Sequence, residues 1–215
     1  RLVDRLSGPS AKLSLTTARV LGLQFGLSYT PDIEAEGLDA AKHRRPINTI
    51  GAEPEKVLEA GASFALRLPD WPAIVAGLTW SRGEGWGPVS RGPANGQFGD
   101  VETVAANAQL GFEGWSLGVS ALTGDNGWSG AGDRGYTAYA VHAGLDLHDW
   151  ALGLEIATSS DDLIDLDQDA LMLSAVTPIT EKLNLMLGVQ GARRQGAGLS
   201  SANASGVVME WTVRF

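Results

Sequence analysis

Apolar residues recur at every second position almost from end to end of the chain, which places one set of side chains on each face of an extended strand. Leu13 and Leu15 alternate with Lys12, Ser14 and Thr16, and Leu23, Phe25, Leu27 and Tyr29 alternate with Gln24, Gly26 and Ser28. Leu58 to Leu68 and Ile74 to Trp80 repeat the design, as do Val104 to Phe112 with Trp115 to Ala121, and Tyr139 to Leu147 with Trp150 to Ile156. The last stretch gives Ala170 to Thr177, Leu183 to Val189 and Val207 to Phe215. The pattern predicts eleven strands of about 7–12 residues.

The polar phase decides what kind of sheet this is. In a soluble sandwich that phase meets bulk water and is rich in Lys and Glu. Here it is mostly Gly, Ser, Thr and Ala, with occasional Asn, Gln, Glu or Arg. A membrane barrel, apolar outward with a polar and small-residue interior, fits better. The predicted class is all-β: an antiparallel transmembrane β-barrel, with residues 1–215 as one domain.

The connections alternate in length, as they do in bacterial outer-membrane barrels. Short ones fall at Ala18 to Gly22, Pro69 to Ala73, Glu113 to Gly114, His148 to Asp149 and Pro178 to Lys182. Long ones run Pro31 to Glu55, Gly83 to Gly99, Gly124 to Gly135, Ser159 to Asp169 and Gly191 to Ser205, all rich in turn formers. Aromatic residues mark both rims, where an amphipathic ring sits at headgroup level. Trp71, Trp115, Trp150 and Phe215 stand at the short-turn ends, and Tyr29, Trp80 and Tyr136 at the long-loop ends.

Composition sharpens this picture. Charged residues are 19% of 215, with 28 Gly and a net charge of -9, a balance that excludes a general nucleic-acid binder, whose surface would be basic. With 0 Cys there is no disulfide, thiol nucleophile or cysteine-ligated zinc, and the 3 His carry no HExxH spacing. No stretch is long and apolar enough for a membrane-spanning helix, a test blind to barrels.

Two segments carry a family resemblance. The C-terminus, Gly206 to Phe215, ends in an aromatic and resembles the assembly signal of bacterial outer-membrane proteins. Residues Lys12 to Asp32, KLSLTTARVLGLQFGLSYTPD, resemble a strand, tight turn and strand of the Gram-negative general diffusion porins of the alphaproteobacterial type, through Thr17, Arg19, Gly22, Gln24, Phe25, Gly26, Ser28, Tyr29 and Pro31. Ala18 stands where that family usually has Pro, and Val20 and Leu23 replace Phe, marking a divergent member. The resemblance implies a sixteen-stranded, usually trimeric barrel in the outer membrane of a Gram-negative bacterium, with passive diffusion of small hydrophilic solutes. Outer-membrane lipid, lipopolysaccharide and the barrel-assembly machinery are its implied partners. Strand parity adds an expectation: an odd number of strands, five by the family's count, precedes Arg1, and Arg1 to Ser10 is the tail of the constriction loop.

The residues expected to line the pore are those on the inward phase: Lys12, Gln24, Glu59, Arg67, Asn107, Gln109, His142, Asp146, Glu155, Gln190, Glu210 and Arg214, with Asn184 as further neutral lining. Their mixed signs imply weak selectivity, tilted toward cations by the net acidity. His142 and Asp146 stand about 13 Å apart along a strand, too far for a direct acid–base pair. Ser120 and Ser174 face inward without a GxSxG elbow or a Ser-His-acid set, so the chain is read as a non-enzyme. Asp161, Asp162, Asp165 and Asp167 could hold Ca²⁺, although the run lacks the Gly and Glu of an EF-hand, and a solvated acidic rim is the favoured reading. No other cofactor is expected. Lys42 to Arg45 could meet lipopolysaccharide or a neighbouring subunit. The competing function is a structural barrel with a closed lumen whose loops bind surface partners; a barrel hydrolase ranks third.

Overall fold

The computed structural model describes residues 12–31, 53–86, 100–125, 135–162, 165–196 and 199–213. They form eleven strands: β1 (Leu13–Thr16), β2 (Leu23–Thr30), β3 (Glu53–Leu66), β4 (Ala73–Trp86), β5 (Val101–Phe112), β6 (Trp115–Asp125), β7 (Gly135–Leu147), β8 (Trp150–Asp161), β9 (Leu166–Thr180), β10 (Leu183–Gly196) and β11 (Leu199–Val213). All eleven belong to one sheet in chain order, each antiparallel to the next, with β1 and β11 at its edges. No described element is a helix.

Register keeps the two phases apart across the whole sheet. Phe25 faces Ala62, Ala62 faces Leu78 and Leu78 faces Ala106, all apolar; one residue along, Gln24 faces Ser63, Ser63 faces Gly77 and Gly77 faces Asn107. A one-residue slip would exchange the faces of a strand, so this alternation fixes the pairing. The polar face is concave: residues of β4 through β9 line one continuous hollow of about 700 Å³ on it.

Accessibility runs opposite to that of a water-soluble protein. In β2 the exposed residues are Leu23, Phe25, Leu27 and Tyr29, while Gln24, Gly26 and Ser28 are half-buried and Thr30 is buried. The same holds at mid-sheet, where Leu78, Val119 and Val141 lie about half exposed on the convex face. From Val104 to Phe112 the apolar band spans about 26 Å along the strand, or roughly 20 Å across a layer once a tilt near 40° is allowed for.

The strands outrun the alternation that predicts them. Gly191 to Ser205 reads as a loop, yet β10 continues to Gly196 and β11 begins at Leu199, with Arg193 paired to Asn203. Ser159 to Asp169 is shortened in the same way, because β8 reaches Asp161 and β9 starts at Leu166. Backbone ladder bonds need no apolar face. Beyond the band both faces are polar, so the period-2 signal disappears while pairing goes on. The segment 1–11, the cluster at 42–45, and Arg214 and Phe215 lie outside the described residues.

Candidate functional site: the concave wall

The predicted lining residues that fall within strands pair with one another and with mostly small or polar residues on one phase of the sheet. Glu59 pairs with Ser28 and Ser81, Asn107 with Gly77 and Ser120, Gln109 with Val75 and Gly118, Gln190 with Met172 and Gly206, and Glu210 with Met186. Ser28 donates to Glu59 Oε2 at 2.7 Å, and Lys12 Nζ stands 3.9 Å from the same oxygen, so the carboxylate on β3 is tied to both preceding strands. Arg67 lies exposed just past the end of β3. Asp146 pairs with Ala151 near the short-turn rim, away from the hollow.

The structure brings together a pair that sequence spacing does not show. His142 on β7 stands directly opposite Glu155 on β8, and both line the hollow with Asn107, Gln109, Ser116, Ser120 and Ser174. Glu155 and Met172 also border a second hollow of about 290 Å³, which extends the first toward Gln190 on β10.

Glycines set how these side chains lie. A Cβ on Gly118 would overlap the imidazole Nε2 and Cε1 of His142, so the ring reaches over the bare backbone of β6. A Cβ on Gly153 would stand 2.6 Å from Ser174 Oγ, one on Gly144 2.7 Å from Ser116 Oγ, and one on Gly77 3.0 Å from Asn107 Nδ2. Each polar group occupies space that a bare backbone leaves on the neighbouring strand. The concave face thereby carries hydrogen-bonding groups close to its backbone. Ser120 Oγ is buried and has no hydrogen-bond partner among the described residues.

At the short-turn rim, Arg19 is a wall residue that the alternation misses because it belongs to a turn. Its guanidinium donates to Gly22 O at 2.8 Å, Gln24 Oε1 at 3.0 Å and Ser63 Oγ at 3.0 Å. Gln24 in turn donates to Thr17 O at 3.1 Å. Gln24 therefore faces inward as expected, but its amide is committed to holding the turn.

On the convex face Trp80 points its ring into the band and its Nε1 donates to Glu102 Oε1 at 2.6 Å, an amphipathic anchoring suited to an interface. At the other rim Phe112 and Trp115 stack with centroids 3.8 Å apart, and exposed Trp71, Trp150 and Trp211 lie at the same end. Tyr29 is on the convex phase. Tyr136 is not: it pairs with Gly124 and Asp161 on the polar phase, and the convex aromatic of β7 is Tyr139. The sequence reading places Tyr136 by its position beside a loop, and register, which sets its face, moves it inward.

Asp161 belongs to the concave phase and Asp167 to the convex one, with Asp162 and Asp165 in the turn between their strands. Among the described residues no three His, Cys, Asp or Glu side chains gather as a metal site.

No protein-family model and no curated protein sequence matches the chain. Solved structures do. An anion-selective porin from Comamonas acidovorans superposes with a TM-score of 0.63 at 15% identity, covering 93% of this chain and 55% of that one. A loop-deletion mutant of OmpT, an outer membrane protein of Vibrio cholerae, gives 0.55 at 9% identity, covering 93% of this chain and 62% of that one. The chain therefore has the fold of outer-membrane β-barrels, and it spans less than two thirds of the length of either neighbour.

Proposed function

We propose that this sheet is the larger part of the wall of a passive diffusion channel in the outer membrane of a Gram-negative bacterium, carrying small hydrophilic solutes and ions without chemical change. The observation that carries the reading is the inverted exposure of the two faces. Leu, Val, Phe and Ile side chains stand uncovered on the convex face while Gly, Ser, Asn and Gln line the concave one. In water that convex face would be a large aggregation-prone patch; in lipid it is solvated, and every strand between the edges has its backbone bonds met by neighbours.

β1 and β11 both run toward the short-turn rim, so an antiparallel seam at each edge calls for an odd number of further strands. Five would complete a sixteen-stranded wall of the general diffusion kind. The knot of Arg19, Gly22 and Gln24 gives the resemblance to alphaproteobacterial porins a physical content, since these matching residues hold one turn. A homotrimer set among lipopolysaccharide, inserted by assembly machinery that reads the last strand, completes the proposal.

Selectivity is expected to favour cations. Among the described residues Glu155 is the one carboxylate bordering the two hollows, and neither Lys nor Arg lines them. The anion preference named for the Comamonas neighbour is therefore not carried over. Reversal potentials of the full-length protein in planar bilayers under a salt gradient should have the sign of cation preference; a clear anion preference would refute this reading of the wall.

A further inference from the structure

We infer that the joined hollows around His142 and Glu155 form a binding site for a small polar solute bearing one organic ammonium group, such as an amino polyol. The inference rests on the concave face being the wetted wall of a channel.

Three observations converge on it. The hollow of about 700 Å³ has the size of a small-molecule site. Its polar lining is made of amides and hydroxyls, Asn107, Gln109 and Ser174 among them, which offer both donors and acceptors to a hydroxylated chain. Lastly, Glu155 lies at the junction of both hollows, where a carboxylate attracts an ammonium and repels a carboxylate of the solute. A metal ion is a poorer occupant, because among the described residues no three ligating side chains gather. An anionic solute would find no Lys or Arg among the described lining residues.

Three linear polyols of matched size separate the cases: glucamine, which is cationic, sorbitol, which is neutral, and gluconate, which is anionic. Calorimetric titration of the full-length protein in detergent should rank glucamine about tenfold above sorbitol, with gluconate weakest. Glu155→Gln should bring glucamine down to the sorbitol level. Heat-modifiable migration of the variant verifies that its barrel is folded. Equal binding of glucamine and sorbitol, or glucamine binding unchanged in Glu155→Gln, would overturn the inference. Ion conductance of the same preparation reports separately on the channel: current without glucamine binding removes the site alone, whereas binding without current removes the channel and leaves the site.

Discussion

Leu78→Arg is expected to destabilise the protein by about 2–4 kcal/mol in a bilayer, the cost of a guanidinium near the midplane on the lipid face of a barrel. Thr79→Arg, one residue along the same strand, should cost much less. Leu78 sits mid-way along β4 between Ala62 and Ala106 and is 52% exposed, so no described residue covers its outer side. For a water-soluble protein, Arg at such a site would be harmless or helpful. Thr79 lines the hollow, where a long charged side chain can extend into water. Urea titrations of both variants in lipid vesicles measure the difference. Equal losses, or a larger loss for Thr79→Arg, would show that the faces are assigned the wrong way round.

The second large effect is expected at the turn between β1 and β2. Gly22 has φ +84, and a Cβ there would stand 2.6 Å from the Ala65 carbonyl oxygen. The same close approach carries a backbone hydrogen bond, Ala65 N to Gly22 O at 2.8 Å. A β-branched residue pays both for the left-handed backbone and for pushing β3 away, so Gly22→Val should cost about 2–4 kcal/mol. Gly191 supplies the control. A Cβ added there meets nothing within 4 Å, so Gly191→Ala should leave the urea midpoint nearly unchanged. A silent Gly22→Val would mean that this turn does not hold β1 and β2 against β3.

Which parts of this were legible in the sequence follows from what each part depends on. Strand number and facing depend on local alternation, and Leu23, Phe25, Leu27 and Tyr29 announce their face without help from the rest of the chain. Pairing across strands depends on register. His142 reads as partnerless from its own strand, because Asp146 is four residues away; only the register of β7 on β8 reveals Glu155 opposite it. Tyr136 is misplaced for the same reason. Arg19 escapes because its side chain leaves a turn, where period carries no information, to reach Ser63 on the third strand. The long hairpin of β10 and β11 is hidden because its outer ends, Arg193 to Gly196 and Ser200 to Asn203, are polar on both faces. The acidic run shows the converse. Its carboxylates are adjacent in sequence, yet the strands on either side of the turn send Asp161 and Asp167 to opposite phases.

The central claim is that one face of this sheet meets lipid and the other lines a water-filled path. Because these 215 residues hold 0 Cys, a cysteine scan within them adds a single new thiol at each step. Single cysteines at 104 to 111 along β5, in the full-length protein in a planar bilayer, would be treated with a membrane-impermeant, positively charged thiol reagent during current recording. The account predicts that cysteines replacing Ala105, Asn107, Gln109 and Gly111 react and reduce the current, while those replacing Val104, Ala106, Ala108 and Leu110 stay unreactive. Reaction without a period of two, or confined to the second set, would contradict it.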